Sequence, residues 1–200
     1  AWNWFSNIVG TTNQALAILG ENMPENNATK PQMLAELRMV RAIAYFMWMD
    51  LFGNIPIITT YGDFTPKPNS PRAEVFAFIE KEIKEALPSL STTVDVTTYG
   101  KPTAFAAQAL LAKMYLNAEY YTGTAKYNEC IAACDAVIGS GKFAIEPRAS
   151  YLQMFYPNNG PAMKEFIFAI PYDPAMASLP GTNGFQYHAR YDVLRSQTKR

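Results

Sequence analysis

The chain has 200 residues, enough for one domain with a sizeable apolar core. Its 17 basic and 17 acidic side chains give a formal net charge of zero, and no run of Lys and Arg forms the basic stripe that binds a phosphate backbone, so we expect no nucleic-acid partner. The single histidine, His188, excludes His-rich zinc sites, and the glycine motifs of nucleotide binding do not occur, so we expect no metal and no cofactor.

The sequence contains no segment suited to crossing a bilayer. Its most apolar region, 40–58, is interrupted by Arg41, Asp50 and Pro56, so no uncharged stretch of 18 apolar residues occurs. The chain begins at Ala1 with neither a methionine nor a basic-then-apolar leader. We therefore expect it to be a piece of a longer protein.

Helical periodicity dominates the chain up to Ile138. Apolar side chains at Trp4, Ile8, Leu16 and Leu19 predict a first helix of about fifteen residues. The glycine that follows them predicts its C-terminal end. In this interpretation Trp4 packs with Ile8 on the buried side of the helix.

The second predicted helix opens at Pro31 and ends at Gly53. Its broad apolar stripe includes Tyr45, Phe46 and Trp48, and helical spacing of this kind is typical of core residues. We therefore assign the three rings to structure and not to ligand binding.

Two arginines accompany this stripe. The stem of Arg41 completes the apolar face, while its charged end requires an acidic partner. We expect Arg38 and Arg41 to form buried or half-buried ion pairs with Glu36 and Asp50. Such pairs stabilise helix contacts without any ligand.

A proline-rich connection follows at 54–69. The apolar run at 55–58 is too limited by proline for a central strand, so we predict an extended surface segment. Ser70 then caps a third helix, with Pro71 at its first position and an apolar face that runs to Leu87.

Two further helices follow a polar loop at 89–99. Thr103 caps an alanine-rich helix that runs to Ala118, and a last amphipathic helix covers 127–138, where glycines stop it. The predicted buried side of the last helix consists of Ile131, Cys134, Val137 and Ile138. We expect Cys130 and Cys134 to be small core residues.

These helices form an imperfect repeat. The motif Ala-x-x-Tyr begins at Ala42 and at Ala112, and each helix that carries it is followed by one that ends in alanine and an apolar residue. Small residues beside a large ring are typical of tetratricopeptide helix pairs, although an all-helical bundle without a repeat remains the alternative. We predict an all-α fold of antiparallel pairs. The pairs are 33–52 with 74–87 and 103–118 with 127–138.

The helical pattern ends near residue 144. The apolar run Phe166–Ile170 predicts one short strand near the C-terminus of the chain. The rest has the proline-rich and glycine-rich composition of structured loops. We expect a single domain, of which 1–144 is a helical, repeat-like region and 145–200 is a loop-rich, truncated segment.

Six segments occur in an order that is specific for one family. They are AELRMVRAIAYF at 35–46, DLFGNIP at 50–56, RAEVFAFI at 72–79, ALLAKMYLNA at 109–118, AVIGSGKF at 136–143 and EFIF at 165–168. This ordered set resembles the SusD/RagB-like family over about residues 1–173. The resemblance implies an all-helical, tetratricopeptide-like fold with sugar-binding loops and no catalysis.

The resemblance also implies a location and partners. SusD/RagB-like proteins are lipid-anchored on the outer face of a Gram-negative outer membrane, where they capture oligosaccharide or polysaccharide for a TonB-dependent transporter of the SusC type. Family members are longer than this chain. Their signal peptide, lipidated cysteine and much of their C-terminal half would lie outside it, so the membrane would be contacted only through that anchor.

Glycan contacts are expected where aromatic rings and hydrogen-bonding groups coincide, because sugars present apolar C–H faces rimmed by hydroxyls. The densest set of such residues is Phe185, Gln186, Tyr187, His188, Arg190, Tyr191 and Asp192. Trp2 and Asn3 form a second candidate set, and Tyr61 with Phe64 a third. The alternative for the first set is that its rings only pin a loop to the helices.

We therefore expect a non-catalytic, glycan-binding protein. The alternative from another class is a tetratricopeptide scaffold that binds a peptide or a protein on its helical surface. An enzyme is not expected, because glycoside hydrolysis needs two carboxyls at a controlled separation and no such pair stands out in the sequence.

Overall fold

The computed structural model describes residues 1–63, 65–156 and 159–171, and residues 1–169 form one compact unit. The helices are α1 (Trp2–Asn22), α2 (Lys30–Phe52), α3 (Arg72–Ala86), α4 (Ala104–Leu116), α5 (Ala118–Thr122) and α6 (Tyr127–Ile138), with 3-10 turns at Leu87–Ser89 and Tyr151–Phe155. The described part of the chain contains no strand, which confirms the predicted all-α fold class. None of its helices combines the length and apolarity that a bilayer crossing requires.

The first helix is longer than its sequence predicts. It continues past Gly20 to Asn22, so the predicted stop is wrong. The ammonium group of buried Lys30 donates to the carbonyl oxygens of Gly20 and Met23 at 2.9 and 2.8 Å and to the carboxylate of Glu25 at 2.6 Å. Because a cation satisfies the carbonyls at the end of α1, the helix does not need the glycine as a terminator.

Helices α1 and α2 pack antiparallel. Trp2 at the start of α1 contacts Phe52 at the end of α2, with ring centroids 5.2 Å apart. Lys30 at the start of α2 bonds the last turn of α1. Helix α1 therefore belongs to the same compact unit as the two predicted helix pairs.

The predicted core rings of α2 are confirmed. Tyr45, Phe46 and Trp48 are 0, 5 and 1 % exposed. The two arginines also form ion pairs between helices, but their acidic partners differ from the expected ones. Arg38 and Arg41 both pair with Glu82 of α3, at 2.8 and 2.5 Å.

The two acids expected as partners serve other contacts. Glu36 accepts a hydrogen bond from Gln32 one turn earlier, and Asp50 accepts one from the hydroxyl of Tyr121. Both lie on α2 itself, whereas the guanidinium groups extend from α2 toward α3. An arginine in a helix contact pairs with the acid on the facing helix, which the sequence of one helix does not reveal.

A buried polar network joins three helices to the extended connection. Arg41 donates to Glu82 Oε2 and, at 2.9 Å, to Asn13 Oδ1 of α1. The amide of Asn13 donates to the carbonyl oxygen of Ile58 at 2.9 Å. The hydroxyl of Tyr45 accepts from the N–H of Ile58 at 2.7 Å and donates to its carbonyl at 2.9 Å, and burial raises the pKa of Tyr45 to about 12. Each group buried here thus has a partner.

The connection between α2 and α3 is extended, as predicted. Ser70 donates its N–H to the carbonyl oxygen of Ile55 at 2.9 Å in a single β-bridge. Ser70 is not the cap of α3, because the cap position falls on Pro71. The side chain of Asn54 accepts the hydrogen bond from the N–H of Arg72 at 2.9 Å instead, so a residue 18 positions away satisfies the start of the helix.

The first predicted pair, α2 with α3, is antiparallel, because Arg38 contacts Glu85 and Tyr45 contacts Phe78.

The second predicted pair is also confirmed. Helix α4 is capped by Thr103, whose hydroxyl accepts from the N–H of Ala106 at 3.3 Å. The rings of Phe105 and Phe143 lie 5.5 Å apart, whereas Tyr115 at the other end of α4 contacts Lys126 just before α6. Helices α4 and α6 are therefore antiparallel.

The predicted buried side of α6 is wrong in part. Ala133 and Val137 are buried, whereas Ile131 and Ile138 are 58 and 76 % exposed. Two helices rich in alanine approach each other closely, so the small residues of α6 lie against α4 and the large ones face outward. Cys130 is half-buried in this contact and donates to the carbonyl oxygen of Ala112.

The predicted strand at Phe166–Ile170 is also wrong. A strand needs a ladder of backbone bonds to another segment, and among the described residues one such bond lies near here, from the N–H of Ala144 to the carbonyl of Lys164 at 3.2 Å. Glutamate side chains take the place of a partner strand: Lys164 N–H donates to Glu146 Oε1 at 2.7 Å, and Glu146 N–H donates to Glu165 Oε2 at 2.8 Å.

Substitution of Gly53 should destabilise the fold more than substitution of another glycine with positive φ. Gly53 has φ 76 and ψ −101, and an added Cβ would lie 2.8 Å from the guanidinium of Arg72, which stacks on Tyr120. We expect Gly53→Ala to lower the free energy of unfolding by about 2–3 kcal/mol, from backbone strain and the displaced cation. Gly62→Ala, with φ 83 and open space around its Cβ, should cost about 1 kcal/mol.

Urea unfolding of both variants measures the difference. Equal losses at the two glycines would show that the contact with Arg72 does not constrain the end of α2.

Candidate functional site

The two tryptophans at the start of α1 have different surroundings. The ring of Trp2 packs edge to face on Trp48 and Phe52, with centroids 4.8 and 5.2 Å apart. Trp4 contacts only Phe5 among the described aromatic rings and is 54 % exposed, compared with 36 % for Trp2. The prediction that Trp4 packs on the buried side is therefore wrong.

The rotation of α1 explains this difference. Its buried residues are Phe5, Val9, Thr12 and Asn13. Two of these four residues are polar. Apolar periodicity therefore selects Trp4 and Ile8 as buried, whereas the buried residues are their next neighbours, Phe5 and Val9. The sequence signal for this side is the apolar pair Phe5 and Val9, which lie one turn apart on it.

The opposite side of α1 carries uncharged polar groups beside an indole. We call this surface the α1 face, and it comprises Asn3, Trp4, Asn7, Thr11 and Gln14 of α1 together with Tyr61 of the connection. Gln14 is half-buried and the other five are exposed. Gln14 donates to the hydroxyl of Tyr61 at 3.1 Å, which holds that ring beside the helix.

The α1 face is long and narrow. At about 1.5 Å of rise per residue, Trp4 and Gln14 lie about 15 Å apart along the helix axis. Asn3 and Asn7 are one turn apart and flank the indole. Neither amide makes a hydrogen bond to another side chain or to backbone in the described residues, so both are available to a ligand.

The α1 face contains no charged group. The nearest acid along the connection is Asp63, whose pKa the ion pair with Lys67 at 2.8 Å lowers to about 2. A carboxyl that is ionised at neutral pH cannot donate a proton as a general acid. The arrangement is suited to binding: the indole offers a flat apolar surface, and amides and hydroxyls offer both donors and acceptors.

The structure places the predicted site residues differently. Asn3 lies on the α1 face, whereas Trp2 lies at the contact with α2. Tyr61 joins the α1 face, and Trp4 and Asn7 are residues of this face that the sequence did not indicate as ligand contacts. The other predicted residues lie outside the described residues; they are Phe64, Phe185, Gln186, Tyr187, His188, Arg190, Tyr191 and Asp192. In the part of the chain that the structure describes, no three His, Cys, Asp or Glu side chains are grouped so that they could hold a metal ion.

The fold consists of antiparallel helix pairs, and α1 presents an uncharged polar face. A family described as starch-binding and associating with the outer membrane matches residues 1–116. The chain therefore belongs to the SusD-like family, and the resemblance seen in its motifs is confirmed.

Curated relatives agree with this assignment. SusD-like protein P38 of Formosa agariphila is 28 % identical over 183 residues, which cover 86 % of this chain and 34 % of that protein. Starch-binding protein SusD of Bacteroides thetaiotaomicron is 30 % identical over 142 residues, which cover 70 % of this chain and 25 % of that protein. The chain spans about a third or less of the length of these two relatives.

Solved structures share the fold. A SusD superfamily protein from Bacteroides thetaiotaomicron superposes with a TM-score of 0.76 at 22 % identity, over 88 % of this chain and 39 % of that one. A structure solved with xylogluco-oligosaccharide has a TM-score of 0.72 at 26 % identity, over 86 % of this chain and 35 % of that one.

The two indoles should contribute differently to stability. We expect Trp2→Ala to lower the free energy of unfolding by about 2–3 kcal/mol, because it removes two aromatic contacts. Trp4→Ala removes one and should cost about 1 kcal/mol. Chemical denaturation followed by circular dichroism measures both, and a larger loss for Trp4→Ala would contradict the observed rotation of α1.

Proposed function

We propose that this chain is part of a non-catalytic glycan-binding protein of the cell surface, which captures oligosaccharide or polysaccharide for a TonB-dependent transporter of the SusC type. The observation that carries the proposal is the α1 face, an exposed indole among uncharged amides and hydroxyls in a member of the SusD-like family. A neutral glycan needs such a surface and no net charge.

Each part of the α1 face has a role in this proposal. The ring of Trp4 stacks on the apolar C–H face of one sugar, and the amides of Asn3 and Asn7 orient its hydroxyls. Gln14 and Tyr61, about 15 Å along the helix, contact a sugar further along the same chain. An extended oligosaccharide thereby gains two contacts on one rigid helix.

The cell-surface location and the partner belong to the same proposal. The family description associates its members with the outer membrane, and the name of the Bacteroides thetaiotaomicron relative states starch binding. The lipid anchor and the SusC-type transporter are inferred from membership in this family. Sugar capture next to a transporter needs neither a general acid nor a general base.

We infer that a second set of contacts comes from the ring-rich sequence at 185–191. Tyr187 lies there among Phe185, His188, Arg190 and Tyr191, which supply rings and hydrogen-bond donors. These residues would act in addition to the α1 face. Titration of Tyr187→Ala under the conditions given below for Trp4→Ala tests their contribution.

Removal of the Trp4 ring should weaken glycan binding without unfolding the protein. Native gels cast with different polysaccharides identify the retained glycan, and calorimetric titration with its oligosaccharide gives the dissociation constant of the full-length protein. We expect Trp4→Ala to raise that constant by about 2- to 10-fold, which corresponds to the loss of one stacking contact of about 0.5–1.5 kcal/mol. Tyr127→Ala removes a ring that is 52 % exposed on α6 and should leave the constant unchanged.

Two results would contradict the proposal. Wild-type affinity in Trp4→Ala would remove the α1 face from the binding site. Uniform mobility in every polysaccharide gel would favour the alternative, a tetratricopeptide-like scaffold that binds a peptide or a protein.

A further inference from the structure

A concave site lies away from the α1 face. A cavity of about 300 Å³ opens between the loop at 94–103 and the segments at 142–143 and 161–169. Its volume is at the lower end of the range for small-molecule sites, which suits one or two sugar units. Its wall is built from loops that follow the helices, so it is separate from α1 and from the binding face proposed above.

The charge of this cavity distinguishes it from the α1 face. Lys101, Lys142 and Lys164 line it, and none of their ammonium groups forms an ion pair within residues 1–63, 65–156 and 159–171. The one acidic residue in the wall, Asp95, accepts hydrogen bonds from the N–H and the hydroxyl of Thr97 at 2.7 and 2.6 Å. The wall therefore has an excess of two positive charges in a chain whose net charge is zero.

The same wall carries aromatic surface and is held by defined contacts. Tyr99 and Phe143 are half-buried in it, beside the lysines. The segment that carries Lys164 is fixed by the hydrogen bonds between Lys164, Glu146 and Glu165. Rings next to unpaired cations are suited to a ligand with both an apolar face and a negative charge.

We propose that this cavity binds the anionic group of an acidic sugar, a carboxylate or a sulfate, as a second subsite that is distinct from the neutral α1 face. The lysine ammonium groups pair with the anion, and the rings of Tyr99 and Phe143 contact the sugar ring that carries it. The identity of the ligand as a sugar rests on the proposed function, whereas recognition of the anion rests on the cavity alone. Binding should weaken as ionic strength rises, because exposed lysines are screened by salt.

Calorimetry on the full-length protein tests this subsite with matched probes. Trigalacturonate carries the carboxylates, its methyl ester has the same rings without the charge, and a sulfated galactotriose carries sulfate instead. We expect one of the charged probes to bind at least about tenfold more tightly than the ester. Each of the variants Lys101→Gln, Lys142→Gln and Lys164→Gln should raise the dissociation constant of that probe by about tenfold. Lys81→Gln, on a lysine side chain that is 71 % exposed on α3, should have no effect.

The outcomes separate this inference from the proposed function. The subsite is supported if a charged probe binds, if the lysine variants weaken that binding and if Trp4→Ala does not change it. This holds even if the protein retains no neutral glycan, a result that would count against the proposed function alone. The charged probe that binds identifies the anion as carboxylate or sulfate. Equal affinity for trigalacturonate and its ester with no binding of the sulfated sugar, or wild-type affinity in all three lysine variants, would overturn the inference.

Discussion

The hydrogen bonds of the Arg41 guanidinium are the interaction on which the rest of this structure depends. Its cation is buried, and a buried charge is stable only when it is paired and fully hydrogen-bonded. Glu82 supplies the charge and Asn13 supplies a second acceptor. Because these partners come from α3 and α1, one side chain of α2 sets the position of three helices relative to one another.

The same network determines which side of α1 is exposed. Asn13 must face Arg41 and also donate to the carbonyl oxygen of Ile58. Trp4 is nine residues earlier, which places it on the opposite side of a helix with 3.6 residues per turn. The exposed indole of the proposed glycan site is therefore a consequence of the buried polar contacts, and a shift of the network would change the binding surface.

This dependence gives the most recognisable motifs of the family a structural role. In the segment at 35–46, Arg41 and Tyr45 bond the network and the connection. In the segment at 50–56, Gly53 ends α2 and Asn54 caps α3. These motifs hold the helices and the connection together, and the residues of the α1 face lie outside them.

Local signals predicted much of the fold. Pro31, Gly53 and Thr103 mark helix ends because proline, glycine and a capping hydroxyl act on the backbone next to them. Contacts between distant residues were not predictable in the same way. Glu82 is 41 residues from Arg41, and Glu146 bonds the backbone of Lys164 18 residues later, so neither partner follows from local sequence.

The candidate site was less predictable for a related reason. Apolar periodicity identifies a buried side only when that side is apolar, and α1 buries Thr12 and Asn13. The rotation of the helix was consequently misjudged, and Trp2 was preferred to Trp4. Asn3, a predicted glycan contact, lies exposed on this helix, and so does Asn7, which the sequence did not indicate.

A double-mutant cycle between Asn13 and Glu82 tests the central claim most directly. The two residues both bond Arg41 and make no hydrogen bond to each other in the described part of the chain, so the guanidinium is the direct link between them. Urea unfolding of Asn13→Ala, Glu82→Gln and the double variant should give a coupling free energy of about 0.5–3 kcal/mol, the range for residues that share one network. The control is Asn13→Ala combined with Glu85→Gln. Glu85 is half-exposed and pairs with Arg38, so the changes in the free energy of unfolding should add. Additivity of Asn13 and Glu82 within about 0.3 kcal/mol would contradict the claim that Arg41 links α1 to α3.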